Sequence, residues 1–341
     1  MIDVDGSTGE GGGQILRMAV ALSALTGKEC RVSNIRAGRP KPGLAAQHIA
    51  GIRGVAHLCN AELSGDKIGS AEIVFKPGKI RSGDLRLDVG TAGSITLVMQ
   101  ACLLPVIGSG HESRLTINGG TNVKWSPPVD YLERLLLPML ERMGVRMSID
   151  ILRRGFYPQG GGSVTVQVTA PERLAPLDLD VRGELITVEG VCFSQNLPDH
   201  ICKRMSHTAK KLMLDKDLKI SYDLREGPST GTGICLFARY EKTILGADCL
   251  GEKGLSSEKV GEQASRGLTL EMEGAGTLDV HAADQLLPYM ALAEGPSRFR
   301  IREASQHLRS VAALLPEFID IEVRIRKRNE DFEVIVEPSY T

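Results

Sequence analysis

The chain has 341 residues, enough for about two domains of ordinary size. Its 41 Lys and Arg residues balance 42 Asp and Glu residues, so the net charge of −1 excludes recognition of nucleic acid or membranes through overall charge. With 42% hydrophobic and 24% charged residues, the composition excludes intrinsic disorder and is typical of a globular protein with a large core. Because aromatic residues make up only 4%, we expect that core to be aliphatic.

The cysteine count and the amino terminus favour a cytoplasmic protein. Seven cysteines form no C-x-x-C pair, which argues against a disulfide framework and against a cysteine zinc site. The first ten residues are acidic and glycine-rich, unlike a signal peptide. No uncharged apolar run reaches 18 residues, so we expect no membrane association.

The predicted elements repeat along the chain. A short strand of the form [IL]-D-V begins each unit, at 2–4, 87–89 and 278–280. Each unit continues with a helix, a strand, a second helix and two alternating strands. The first helices are predicted at 14–27, 94–108 and 284–295, the following strands at 30–35, 114–118 and 298–302, and the second helices at 44–58, 130–144 and 305–318. The pattern βαβαββ thus appears at about 1–77, 84–169 and 276–338.

Residues 170–275 do not begin with this strand and read as a separate mixture of strands and two helices. The predicted fold class is therefore α/β, more narrowly α+β. Three βαβαββ repeats form a large domain from 1–169 and 276–341, and a small α+β domain of 170–275 is inserted into it. The alternative is one continuous α/β domain with irregular connections.

A glycine-rich loop at 6–14 leads from the first strand into the first helix. Its five glycines in eight positions let backbone N–H groups turn toward an anion, which a helix N-terminus also favours. Neither a Walker A motif nor the dinucleotide spacing is present. Glu10 lies inside the loop, where it would repel phosphate unless a divalent cation intervened. Tight packing alone is the alternative role of this loop.

A basic loop follows the second strand. Residues 36–53 contain four Lys or Arg and no acid, and two prolines stiffen the segment that holds Arg36 and Arg39. Guanidinium groups held in this way suit phosphate oxygens, although a solvated basic loop is the simpler interpretation. Arg17, one turn into the helix behind the glycine loop, could reach the same anion.

Three further positions carry polar residues in predicted helices. Asp284, within 281–285, is a natural N-cap, and Gln100 interrupts an apolar helix as a structural hydrogen-bonding group or a ligand. Ser305 is predicted to cap the last long helix, which places His307 in its first turn. The partial positive charge there disfavours imidazolium, and a neutral imidazole is a nucleophile toward phosphorus. A surface histidine without a role is the alternative.

These residues fall within motifs that resemble the RNA 3′-terminal phosphate cyclase family across essentially the full chain. The motifs are GEGGGQILR, IRAGRPKPGL followed by QH, GTAGS-x-TLV-x-Q, Ser-Pro-Pro at 126–128, RRGFYPQGGG, ADQL-x-x-x-MALA and S-x-HL. The resemblance implies the repeat architecture with an inserted domain. It also implies an ATP-dependent, ligase-like enzyme that acts on RNA 3′-phosphate ends with Mg²⁺ or Mn²⁺.

The resemblance further implies the chemistry. His307 attacks the α-phosphorus of ATP and becomes histidine-linked AMP, which passes to the RNA 3′-phosphate. The neighbouring 2′-hydroxyl then closes the 2′,3′-cyclic phosphate and releases AMP. Glu10 is expected to hold the metal, and the residues expected at the nucleotide are Arg17, Arg36, Arg39, Gln47, His48, Gln100, Pro127, Tyr131, His281, Ala282, Ala283, Asp284 and Gln285. Pro127 and Tyr131 would line the adenine, whereas His281 stands where the family implies tyrosine, which puts purine selectivity in question.

Two other classes compete with this interpretation. A non-catalytic branch of the family serves ribosome assembly, but it lacks the nucleophile that His307 supplies here. Enolpyruvyl transferases use a similar repeat unit without ATP. The near-zero net charge means that RNA must bind a local patch, and the sequence indicates neither its location nor the oligomeric state.

Overall fold

The computed structural model describes residues 1–9 and 11–339, and its helices and strands are given for those ranges. The helices are α1 Gln14–Thr26, α2 Ala46–Cys59, α3 Ile95–Gly108, α4 Val129–Tyr131, α5 Leu137–Arg142, α6 His200–Leu212, α7 Ser257–Glu273, α8 Val280–Met290 and α9 Gln306–Phe318. A π-helical turn, Leu132–Leu136, joins α4 to α5, and a 3₁₀ turn covers Leu214–Lys216.

The strands are β1 Ile2–Asp5, β2 Cys30–Ser33, β3 Glu62–Ser64, β4 Ile73–Lys76, β5 Gly83–Asp88, β6 Glu112–Gly119, β7 Arg146–Arg153, β8 Gly162–Thr169, β9 Asp178–Leu179, β10 Leu185–Gln195, β11 Lys219–Arg225, β12 Gly231–Tyr240, β13 Ile244–Leu250, β14 Ser297–Ile301, β15 Ile321–Arg328 and β16 Asp331–Pro338.

The strands of the described chain form four mixed sheets. Three sheets have equivalent orders, β1-β2-β4-β3, β5-β6-β8-β7 and β9-β14-β16-β15. In each of them the first pair is parallel and the other pairs are antiparallel. The fourth sheet, β11-β10-β12-β13, lies within the segment 170–275. The predicted α+β fold class is confirmed, and the exact domain boundaries stay a prediction.

The prediction of a strand at 278–280 is wrong. Asp279 is instead the N-cap of α8, and its Oδ1 accepts hydrogen bonds from the backbone N–H groups of His281 and Ala282. The place beside β14 is taken by β9, which pairs with it in parallel. The prediction of Asp284 as the N-cap is therefore also wrong, since α8 begins four residues earlier than that residue.

Two helix boundaries predicted from the sequence are confirmed. Gly27 ends α1 with φ 72°, and its N–H donates to the Ser23 carbonyl. The Ser305 hydroxyl caps α9 by accepting from the Leu308 N–H at 2.9 Å. The second cap fixes His307 in the first turn of that helix, which is the position that the predicted chemistry requires.

The main core is mostly aliphatic and lies between the helices α1, α2, α3, α8 and α9 and the three similar sheets. The fourth sheet packs one face on α6 and α7 around a second cluster of buried residues. Its other face adds Val191, Phe193 and Phe237 to the main core, so the 170–275 segment is joined to the rest by buried apolar surface. No helix in the described ranges is long and apolar enough to cross a membrane.

Candidate active site

The glycine loop packs against the first turns of α9. A Cβ built on Gly9, whose φ is 67°, would lie 2.0 Å from Ser310 Oγ and 3.7 Å from the Gln306 carbonyl oxygen. A larger residue there would displace the Ser310 hydroxyl and would be strained at this positive φ. His307 lies half-buried in the same turn, between these two contact points along the chain. The structure therefore brings the glycine loop and the turn that carries His307 into contact.

The other end of the loop meets a group of basic side chains. A Cβ on Gly13 would lie 2.2 Å from His48 Nε2 and 3.0 Å from Arg17 Nη1, and one on Gly12 would lie 3.3 Å from Arg39 Nη2. We call Arg17, Arg36, Arg39 and His48 the cationic cluster; its charge comes from the three arginines, and His48 is its neutral member. The loop thus lies between this cluster and the start of α9.

Arg17 is buried in this cluster and has no partner among the described residues. Arg17 is 8% exposed, and its guanidinium makes no hydrogen bond or ion pair within residues 1–9 and 11–339. Burial lowers the pKa of Arg17 to about 10, so it remains charged at neutral pH. An unpaired buried cation is unfavourable unless an anion joins it. This arrangement is typical of a site built for an anionic ligand.

Arg36 adds a second cation held in place by the backbone. It adopts φ 55°, and its Nη1 donates to the Gly43 carbonyl at 2.8 Å. Partial burial and the neighbouring Arg39 both lower the pKa of Arg36. Because like charges are held together here, binding of a polyanion would relieve their repulsion.

His48 is neutral and its tautomer follows from its hydrogen bond. Burial, and then the charges of Arg17 and Arg36, lower the pKa of His48 to about 3. Its Nδ1 accepts from the Ala45 N–H at 3.1 Å. In a neutral ring whose Nδ1 accepts, the proton lies on Nε2, the atom nearest Gly13. His48 therefore presents a hydrogen-bond donor to the glycine loop.

A small cavity lies beside Arg17. Its polar lining consists of Gln14, Arg17, Gln100, Asp284 and Gln285. The Oε1 atoms of Gln14 and Gln285 are buried and have no hydrogen-bond partner in the described structure. Asp284 Oδ1 accepts from the Ser305 hydroxyl at 2.7 Å, which ties the cavity wall to the start of α9. Polar atoms without partners in a cavity are what a bound polar ligand would satisfy.

Some of the predicted nucleotide residues hold the surrounding loops. Gln47 Oε1 accepts from the Ser94 N–H at 3.1 Å, and the Pro127 carbonyl accepts from the Thr96 hydroxyl at 2.8 Å. His281 is exposed in the first turn of α8, while Ala282 and Ala283 are buried there. These residues lie on or beside the elements that line the small cavity and a second, larger cavity next to the fourth sheet.

Tyr131 differs from the expectation that it lines the adenine. It is 1% exposed and lines neither cavity. Its hydroxyl donates to Asp279 Oδ1 at 2.6 Å, so it supports the N-cap of α8 from inside the core. Its contribution to the site is to hold the helix that carries the 281–285 segment.

The predicted metal residue, Glu10, lies outside the described residues. Within 1–9 and 11–339, no group of three or more His, Cys, Asp or Glu side chains could hold a metal ion. This finding disfavours a metal cage built from those residues. Mg²⁺ is commonly held by one or two carboxylates together with substrate phosphates, so such an ion does not require a cage of this kind.

Sequence reasoning missed Gln14 and Asp279 as parts of the site. Gln14 precedes Arg17 by three residues, so the helical spacing could have indicated that both side chains lie on one face of α1. Asp279 lay in a pattern that resembled a strand, which hid its capping role.

A family model described as RNA 3′-terminal phosphate cyclase matches residues 8–325. A protein of Archaeoglobus fulgidus with that name is 44% identical over 321 residues, which are 94% of this chain and 96% of the relative. A protein of the same name from Methanopyrus kandleri is 42% identical and covers 99% of both chains. One from Trichormus variabilis is 45% identical over 93% of this chain and 94% of its own. Matches of this identity and length show that the chain belongs to the RNA 3′-terminal phosphate cyclase family.

Proposed function

We propose that this enzyme converts an RNA 3′-terminal phosphate into a 2′,3′-cyclic phosphate at the expense of ATP, through a covalent adduct on His307. Its relatives bear the name RNA 3′-terminal phosphate cyclase. The observation that supports the ATP-dependent mechanism is the buried Arg17 guanidinium, which has no partner within residues 1–9 and 11–339. It lies behind a glycine loop that touches the turn of His307.

The first step is nucleotidyl transfer to the enzyme. A ring nitrogen of His307 attacks the α-phosphorus of ATP, the bond from that phosphorus to the bridging oxygen breaks, and pyrophosphate leaves. The dipole at the N-terminus of α9 would stabilise the phosphate that becomes attached to His307. Arg17, Arg36 and Arg39 neutralise the triphosphate, and the Nε2–H of His48 donates to it.

The next steps activate the RNA. An oxygen of the 3′-phosphate attacks the phosphorus of the histidine-linked AMP, which frees His307 and forms a phosphoanhydride. The 2′-hydroxyl attacks the RNA phosphorus, loses its proton, and displaces AMP as the cyclic ester forms. AMP is needed because an unactivated phosphate dianion repels the nucleophile and has no good leaving group.

The nucleoside part of ATP is assigned to the elements around the small cavity. Gln14, Gln100 and Gln285 offer amide groups there, and two of these have unsatisfied oxygens. Pro127 and His281 are the proposed walls of the adenine site, with Ala282, Ala283 and Asp284 forming the helix behind it. Gln47 would contribute mainly by fixing Ser94, the N-cap residue of α3.

A divalent ion, Mg²⁺ or Mn²⁺, would neutralise the triphosphate charge when bound, with Glu10 as its proposed carboxylate ligand. The cationic cluster acts independently of that ion, since its members meet the phosphates directly. Cytoplasmic RNA processing is the proposed setting of the reaction.

The experiment is incubation of the protein with α-labelled ATP and Mg²⁺ or Mn²⁺, without RNA. We expect a label on the protein that is labile in acid and stable in base, as a phosphoramidate is. His307→Ala should lose the label, whereas His57→Ala, a change at an exposed histidine of α2, should keep it. An unlabelled wild-type protein would contradict the proposal and favour the ribosome-assembly or enolpyruvyl-transferase alternatives.

A further inference from the structure

A second, larger cavity lies beside the fourth sheet. Its volume is about 1240 Å³, and it lies between the loops around 91–97, 122–125 and 156–158 and the fourth sheet with α6 and α7. Pockets for single small ligands usually measure about 300–1000 Å³, so this one has room for more than one nucleotide unit. Gln47, the residue directly before His48 of the cationic cluster, is part of its lining.

Two aromatic side chains in the cavity wall are held out in solvent. Trp125, the only tryptophan of the chain, is 94% exposed, and Tyr157 is 77% exposed. Trp125 also adopts φ 60°, a region that bulky residues avoid. An exposed ring gains little from packing, so the strained position is not explained by stability. Large flat rings presented to a cavity suit a ligand that has flat faces of its own.

The charges in the wall are compatible with an anionic ligand. Lys124 forms an ion pair with Glu252 at 2.6 Å, which joins the loop at 122–125 to the segment after β13. Lys253, also in the wall, has no ion-pair partner in the described parts of the chain. The wall therefore carries one more positive than negative charge, and the hydroxyl groups of Thr230, Thr232 and Ser257 add hydrogen-bonding capacity.

We propose that this cavity binds the last few nucleotides of a single-stranded RNA end, with Trp125 and Tyr157 as stacking platforms. The proposal rests on the proposed function, because it assumes an RNA substrate. Aromatic side chains stack on any base, and a backbone phosphate meets the free lysine. The 3′-phosphate would then lie beside Gln47 and reach the cationic cluster. Bases paired in a duplex do not offer their faces, so the site selects unpaired ends.

The test uses Trp125 as its own reporter, since it supplies all of the tryptophan fluorescence. The wild-type protein is titrated, without ATP, with a short single-stranded RNA that carries a 3′-phosphate. We expect saturable quenching, and weaker or no quenching by a blunt duplex of the same sequence. Binding of the same RNA with a fluorescent label, followed by anisotropy, gives affinities for variants that lack the tryptophan.

Trp125→Ala and Tyr157→Ala should each weaken RNA binding about fivefold or more. Tyr222→Ala is the matched control, because Tyr222 is an exposed aromatic residue, 46% accessible, on β11 and outside the cavity wall. Circular dichroism of each variant verifies folding. Both target residues are highly exposed, so their replacement should leave the fold intact.

Wild-type affinity in both variants, or duplex binding as tight as single-strand binding, would overturn the proposal. So would quenching by ATP alone with none by RNA, which would assign Trp125 to the nucleotide instead. Self-adenylylation of the wild-type protein is measured separately. Its absence would refute the proposed function while leaving the RNA titration to decide the binding site.

Discussion

Replacement of Arg17 by methionine should stabilise the protein and remove its use of ATP. The pKa of Arg17 is lowered from 12.5 to about 10 by burial alone. Each pKa unit corresponds to about 1.4 kcal/mol, so the folded chain disfavours this charge by about 3 kcal/mol. Methionine retains much of the apolar stem and carries no charge. We therefore expect Arg17→Met to raise the free energy of unfolding of the nucleotide-free protein by about 1–3 kcal/mol.

The assay is urea denaturation with and without a non-hydrolysable ATP analogue. The analogue should stabilise the wild-type protein by mass action and have little effect on Arg17→Met. Arg31→Met is the control, because Arg31 is an exposed residue paired with Asp3, and we expect a change within about 0.5 kcal/mol. A loss of about 1 kcal/mol or more in nucleotide-free Arg17→Met would refute the reasoning, since it would show that the protein itself compensates the charge.

Two further predictions concern the residues beside Arg17. The pKa of His48 is about 3 in the folded chain against 6.5 ordinarily, so below pH 6.5 the unfolded chain gains a proton that the folded chain lacks. Stability should therefore fall from pH 6.5 toward 3, and His48→Gln should reduce this fall in urea denaturation while exposed His57→Gln does not. Gly13→Ala should lower the adenylylation rate at subsaturating ATP about tenfold or more, because its Cβ would lie 2.2 Å from His48 Nε2. Gly38→Ala, with no heavy atom within 4 Å of its Cβ, should match the wild type; equal rates for both variants would contradict the proposed role of His48.

The features that local chemistry specifies were predictable from the sequence. The Ser305 cap needs only a hydroxyl before a helix, and the Gly27 stop needs only a residue that tolerates positive φ. Helical spacing also placed Arg17 behind the glycine loop, where the structure has it. These predictions succeeded because each depends on a few neighbouring residues.

The features that failed depend on contacts between distant segments. Residues 278–280 have the composition of the other opening strands, but Asp279 is the N-cap of α8. The strand that pairs with β14 is instead β9, which lies a hundred residues earlier in the chain. A tyrosine side chain is amphipathic, so Tyr131 could face a ligand or the core. Its hydroxyl finds a buried partner in Asp279, and this contact is visible only in the folded chain. The absence of a protein partner for Arg17 within the described ranges likewise becomes visible only when its surroundings are assembled.

The central claim is that His307 carries the nucleotide. The most direct measurement is peptide mass spectrometry of the protein after incubation with ATP and Mg²⁺, with digestion kept at alkaline pH to preserve a phosphoramidate. We expect AMP on the peptide that contains His307, located to that ring by fragmentation. AMP attached at His48, His281 or any other residue, with His307 unmodified, would contradict it.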